Sequence, residues 1–336
     1  MKEGAPQAHR APPPVRRAWL PLLVQGALAA AVLLLIWWLA GAAHHALEAR
    51  GIRTGFDFLE QPAGFALSES WFAYDDTMAL WRAFVAGVGN TLRASIPAAL
   101  IAVTLGVLLG IGRLAAHVLV RGLCDLYVRL FRNVPLLVHM LLLYFVLTHL
   151  LPDSDAALSL PFGTMLSKGG LAVPWYAEGA WSWPEQGRFR VTGGAALSPE
   201  YLTVVFCLAL YTAAFVAEIV RGGVQSVSTG QRQAAQALGL TGGQQMRHVI
   251  LPQALRAIVP ALSNQMLSLV KNSSLAVAVG YPELVSVANT AINSKGRQFE
   301  CIAIIMAVYL TLSLLIALGM NLYNRHIALR GSRAEV

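Results

Sequence analysis

The chain has 336 residues, 56% of them hydrophobic and 12% charged, with a formal net charge of +8. A mean hydropathy of +0.58 excludes a water-soluble domain, because several stretches are long enough to cross about 30 Å of hydrocarbon. In so apolar a chain the basic excess reads as a charge bias across a membrane, with no nucleic-acid partner. Cys124, Cys207 and Cys301 are widely separated and lack CxxC spacing, which argues against a disulfide framework or a metal site.

Residues 1–17 are polar, with Pro12, Pro13 and Pro14 beside Arg16 and Arg17, and read as a disordered cytoplasmic tail. Residues 18–43 carry no charge for 26 positions, too long an apolar run for a cleaved leader. They are expected to form an additional N-terminal transmembrane helix. Residues 44–82 form a mixed polar segment between the first two spans. The core, residues 83–324, then opens with a second span over 84–112, in which Arg93 would snorkel at the outer interface. Asn90 and Thr91 read as a helix start. Residues 113–132 are a short basic connection, and 133–152 form a third span of 20 uncharged residues.

Residues 153–200 are an insertion between spans, rich in Gly, Pro and Trp. Without clear periodicity, it reads as a functional or poorly ordered loop, and Phe162, Trp175 and Trp181 could hold it at the membrane surface. A fourth span starts at 201 and ends near Glu218 and Arg221. The fifth covers 257–282 and contains Lys271. The sixth covers 301–324, followed by a basic cytoplasmic tail at 325–336. The fold class is therefore all-α and integral to the membrane, with about six transmembrane helices. Six spans put both termini on one side. The segments assigned to the inside hold 15 Lys and Arg with three acids, and those outside hold nine with thirteen acids, the bias expected when both termini are cytoplasmic.

Between the fourth and fifth spans lies a polar stretch, residues 228–252. Ser228 and Gln231 have capping-box spacing, Gly239 suits a C′ position, and Thr241 can cap a second helix running into Pro252. Ala234, Ala235 and Leu238 would form one small-residue face suited to a partner groove.

Within the fifth span, an intramembrane lysine costs about 2.5–3.5 kcal/mol and needs a polar partner or a wet path. Lys271 therefore either lines a translocation pathway or pairs internally, with Glu218 as the candidate. Asn272 and Ser273, with Ser274, can satisfy backbone groups at a helix break. Glu218 and Arg221, three apart, read first as a local helix pair. His139 and His149, ten apart, fall on nearly opposite sides of a helix and cannot share a metal. The chain has no GxxxxGK[ST], GxSxG, HExxH or CxxC pattern, so neither catalysis nor a cofactor in this chain is expected.

The stretch 228–252 resembles the EAA loop of ABC importer membrane subunits. Gln233, Ala234 and Ala235 stand for E-A-A, Gly239 for the glycine, and Ile250, Leu251 and Pro252 for I-L-P. Gln233 departs from the usual glutamate and leaves at most a neutral hydrogen bond in its place. Asn90-Thr91-Leu92, the run from Phe131 to Pro135, Tyr211 to Arg221 and Lys271 to Ala276 look like the polar amino-acid branch of these permeases. Gly55, Phe56 and the insertion before Leu197 resemble one permease of Gram-negative general L-amino-acid importers. The resemblance implies a type I importer core. It also implies a cytoplasmic ATP-binding subunit gripping the 228–252 loop, a second permease subunit in a heterodimer, and a periplasmic amino-acid-binding protein. The alternative is an ion-coupled secondary transporter or channel without an ATPase. It accounts for Lys271 and the six spans but not for the loop. A membrane-embedded enzyme is a third reading, and no clustered acid, base or metal set supports it.

Overall fold

The computed structural model describes residues 19–49, 55–177 and 179–332. The expected tail 1–17, residue 18 of the first expected span, residues 50–54 of the periplasmic segment, residue 178 of the insertion and residues 333–336 of the second tail lie outside them. The described residues fall into two separate compact units, divided between Gly55 and Phe56. The first contains helix α1, Trp19–Ala49. Its stretch Leu23–Leu39 is apolar but for Gln25 and carries no charge, and the side chains described on it are exposed.

The second unit is built on α2 (Leu80–Gly112) and α5 (Pro199–Gln225). Their contact is made by small residues. Ala94, Ala98, Ala102, Gly106 and Gly110 recur every fourth position on α2 and are fully buried, facing Ala209, Ala213 and Ala217 of α5. A Cβ built on Gly106 would lie 2.5 Å from the Cβ of Val216 and 2.9 Å from the Ala213 carbonyl oxygen. Small residues at i, i+4 allow this approach, which replaces the hydrophobic drive that lipid cannot supply. Around the pair stand α4 (Leu136–Phe145), α8 (Leu251–Asn272), α9 (Leu284–Lys295) and α10 (Gln298–Ser332). One core gathers Met140, Leu208, Leu269 and Tyr281 against the small face of α2. A second gathers Phe58, Leu80, Leu284 and Val287.

Among the described residues, three helices are long and apolar enough to cross a membrane. The number rises to five if each of two bent pairs counts as one span. One of these pairs corrects the sequence reading. Residues 113–132 are not a loop: α3 (Val118–Asn133) is a helix set at 99° to the α4 segment. Leu119, Leu123, Leu126 and Leu130 form its exposed stripe, while Val128 packs on Ala214 and Ala217. Pro135 prevents α3 from continuing, since the residue before a proline is pushed to extended backbone, and Val134 is extended (φ −107°, ψ 133°).

The insertion is also ordered, against the expectation of a loop. Among the described residues it carries eight short strands. β1 (Leu158–Leu160), β2 (Thr164–Ser167), β3 (Gly170–Val173) and β8 (Ala195–Leu197) make an antiparallel sheet in the order β1-β2-β3-β8. β4 (Trp175–Ala177) pairs with β5 (Ala180–Ser182), and β6 (Glu185–Gln186) with β7 (Val191–Thr192). Strands of two to four residues are too short to show an alternating pattern, which is why periodicity did not reveal them.

Asn90 and Arg93 likewise depart from expectation. α2 begins at Leu80, so Asn90 is interior and fully buried. Its amide donates to the carbonyls of Glu69 (3.0 Å) and Pro282 (2.9 Å) and accepts from the Trp71 N–H (3.1 Å). Arg93 does not snorkel. Its guanidinium meets Glu69 at 2.8 Å and lies 4.7 Å from the Tyr201 ring centroid. The Ser198 hydroxyl donates to the other Glu69 oxygen and caps α5 at the Tyr201 N–H. These bonds fasten residues 56–79 and the turn at 280–283 to the middle of α2. Asn90→Ala would leave one donor and two carbonyls without partners, at a cost of about 1–3 kcal/mol per buried group. A clear fall in the unfolding temperature of the detergent-solubilised protein is expected, and an unchanged melting curve would contradict this account.

Candidate functional site

The stretch 228–252 forms two helical pieces around a glycine. α6 spans Thr229–Ala237 and α7 Gly242–Gln245, followed by a π turn, Met246–Ile250, that leads into α8. Ser228 stands at the N-cap of α6 but makes no side-chain capping bond, so the expected Ser228–Gln231 capping box does not form. The capping box lies at Thr241 and Gln244. Gly239 is left-handed, with φ +73°. Its N–H donates to the Gln236 carbonyl (2.9 Å), and the Leu240 N–H donates to the Ala235 carbonyl (3.2 Å). This pair of bonds closes a Schellman ending.

The expected small-residue face is divided. Ala235 is buried, whereas Gln233, Ala234 and Leu238 are exposed, with 80% of the Leu238 surface open. Ile250 is buried with Val216, Val220 and Val224 of α5 and with Ala254 and Ile258 of α8. Leu251 and Pro252 stay at the surface. The loop thus presents one end of α6 outward, while its far end is rooted in the helix core.

At the same end of the bundle, Glu218 is the hub of an ion cluster. It pairs with Arg113 from the end of α2 and with Arg221 one turn along α5. Arg132 at the end of α3 stands 3.7 Å away. Arg113 also reaches Asp125 at 2.5 Å. Arg113 and Arg132, with Arg129, Asn133, Val128 and Phe215, line a cavity of about 320 Å³. The internal pairing of Glu218 with Lys271, one of the two readings, is not formed: α5 meets α8 beside Glu218 at Ala254 and Ile258, and Lys271 lies 13 residues further along α8, about 20 Å away at 1.5 Å per residue.

Lys271 is exposed on the last turn of α8, with no ion-pair partner among the described residues. α8 ends at Asn272, and a 3₁₀ run, Ser273–Val279, leads to the left-handed Gly280 (φ +80°). There the Ser273 hydroxyl donates to the Val270 carbonyl (2.7 Å) and Ser274 to that of Lys271 (2.8 Å). Sequence reasoning missed Arg113 and Asp125 in the cluster. Both lie more than 90 residues before Glu218, and no local spacing joins them.

A family model described as "binding-protein-dependent transport system inner membrane component" matches residues 102–330, a region holding the ion cluster, the glycine-centred loop and the helix break. The chain belongs to this family. The permease is 36% identical to the putative amino-acid ABC transporter permease protein YhdX of Escherichia coli strain K12, over 84% of this chain and 88% of the relative. It is 34% identical to the general L-amino acid transport system permease protein AapQ of Rhizobium johnstonii, over 82% and 84%. A crystal structure of an amino acid ABC transporter with histidines superposes with a TM-score of 0.56 at 27% identity, covering 73% of this chain and 94% of that one. The inward-facing MetNI methionine ABC transporter gives a TM-score of 0.51 at 18% identity, which supports the fold alone.

The permease is thus a multi-pass inner-membrane subunit of an ABC importer, a transporter component rather than an enzyme. Its partners by family are a separate ATP-hydrolysing subunit and a substrate-binding protein.

Proposed function

We propose that the permease carries L-amino acids, polar or of broad range, inward across the bacterial inner membrane, driven by an ATPase that grips the 228–252 loop. The observation that carries this reading is the loop itself. An exposed helix end at Gln233, Ala234 and Leu238 is joined by Gly239 to a segment whose Ile250 is embedded against α5, so a push on the helix is delivered to the bundle. α1 would supply a sixth span, both termini would be cytoplasmic, and the insertion would face the periplasmic binding protein. A second, paralogous permease would complete the pore, and the chain would hold no cofactor of its own.

Glu218 and the cavity beside it suit the cargo. The guanidinium groups of Arg113, Arg129 and Arg132 along the cavity offer partners for the carboxylate that every amino acid carries, while Glu218, paired with Arg113 and Arg221, holds them in place. Lys271, Asn272 and Ser273 lie at the broken helix, where transporters place sites lined by irregular backbone, and the exposed Lys271 would face the pathway.

The test is uptake of a panel of radiolabelled L-amino acids into vesicles holding the permease pair, the ATPase and the binding protein. Uptake requiring internal ATP and the binding protein is expected. Uptake that ignores ATP and follows an ion gradient would favour the secondary-transporter alternative. Glu218→Gln should lower uptake about tenfold, equivalent to about 1.4 kcal/mol. Adding Lys271→Met should not restore it, since the two residues are not partners. Recovery in the double variant would reinstate the pair expected from sequence.

A further inference from the structure

One face of the four-stranded sheet in the insertion carries a row of leucines. Leu158 lies opposite Leu166, Leu166 opposite Leu171, and Leu171 opposite Leu197. Directly opposed residues in antiparallel strands share a face, and Leu160, two positions from Leu158, joins it. Leu160, Leu166 and Leu171 from this face roof an open groove of about 410 Å³. Its floor is the stripe Leu202, Phe206 and Leu210 on α5, with Leu143 and Leu147 beside it from the α4 segment.

The lining is leucine and one phenylalanine throughout. The floor residues recur at i, i+4 and i+8, so the groove runs about 12 Å along α5 at 1.5 Å per residue, most of the depth of one leaflet's hydrocarbon, about 15 Å. The helix that supplies Leu143 and Leu147 belongs to a segment apolar enough to cross a membrane, and its Leu142 and Leu150 are 64% and 73% exposed, so the groove opens beside apolar surface of the kind a bilayer covers. At the rim, Phe162 directly follows β1 and Pro161. It is 91% exposed and holds a left-handed backbone (φ +64°), a conformation that costs a bulky residue. A protein-docking surface would carry roughly one hydrogen bond per 100–200 Å² and a polar rim. This groove offers no polar side chain.

We infer that the groove holds one acyl chain of a membrane phospholipid, clamped between the insertion and the α4 and α5 helices. The leaflet concerned, the outer one, rests on the orientation proposed above; the groove does not. The insertion thereby grips the lipid at its base as well as resting on the membrane surface, and the lipid becomes part of the floor on which its strands stand.

The test uses the assembled transporter in nanodiscs of phosphatidylethanolamine and phosphatidylglycerol, with a diazirine at mid-chain of one acyl tail. After illumination, label is expected on the β2 and β3 peptides carrying Leu166 and Leu171. Filling the groove with Leu166→Trp should lower this label about tenfold, the effect of about 1.4 kcal/mol, with labelling of α10 unchanged. Leu171→Asn gives a second variant that changes polarity instead of volume. Label on α10 with none on β2 and β3 would overturn the proposal. So would a photo-crosslinker at position 166 that captures the second permease or the binding protein. Separately, Arg188→Cys on the exposed hairpin should react with a membrane-impermeant maleimide from the periplasmic side. Failure there would overturn the orientation and leave the groove standing.

Discussion

Gly106→Leu is expected to abolish the folded permease: little or no protein should reach the membrane fraction, and what does should melt well below wild type. At Gly106 even a single methyl would fall within 3 Å of Val216 side-chain atoms and of the Ala213 carbonyl oxygen, and backbone cannot move aside as a flexible side chain can. Gly110 repeats the situation one turn on, with Val220 and the Ala217 carbonyl. Overpacking a core by a few methylenes costs about 1–3 kcal/mol, occasionally more, and here it would pry apart the two helices around which the others assemble. Gly222, near the end of α5, is the control. A Cβ added there would meet nothing within 4 Å, so Gly222→Ala should be close to neutral. Normal levels of Gly106→Leu protein would refute the backbone-contact account.

Gly239→Val should separate ATP hydrolysis from transport. The position has open space around it, so crowding is not the issue. The difficulty is the backbone, since φ of +73° costs an L-residue about 1–2 kcal/mol and a β-branched one more. Relaxation would break the Schellman bonds to Gln236 and Ala235 and re-aim α6 while Ile250 stays rooted. ATPase activity in the assembled transporter is expected to persist while uptake falls at least about tenfold, equivalent to about 1.4 kcal/mol. Gly239→Asn should retain most uptake, because asparagine tolerates the left-handed region. Full uptake in the valine variant would remove the loop from the coupling path.

These two glycines differ in how far the sequence announced them. Gly239 stands between two capping patterns and could be read locally. Gly106 belongs to a stripe of small residues that hydropathy cannot distinguish from any other apolar helix, although its four-residue recurrence is visible along the chain. Long uncharged runs gave α2, α5 and α10 directly. α3 was hidden because its arginines suggested a loop, whereas Leu119, Leu123, Leu126 and Leu130 already traced one helical side. At the candidate site, the loop was legible because its signals lie within 25 residues. The Glu218 cluster was not, because Arg113 and Asp125 reach it only through the packing of α2 and α3 on α5. The same holds for Glu69 and Arg93, whose pairing no helical or strand period encodes.

The broken end of α8 has a mechanical consequence. A 3₁₀ helix rises about 2.0 Å per residue against 1.5 Å in an α-helix, and runs longer than three or four residues are uncommon. The seven residues Ser273–Val279 therefore hold about 3.5 Å of slack relative to an α-helical path. Rewinding them would draw Lys271 toward Gly280 by that distance without stretching the chain elsewhere. The slack lies in the span that continues directly from the loop, so the helix can act as a cord of adjustable length rather than as a rigid rod.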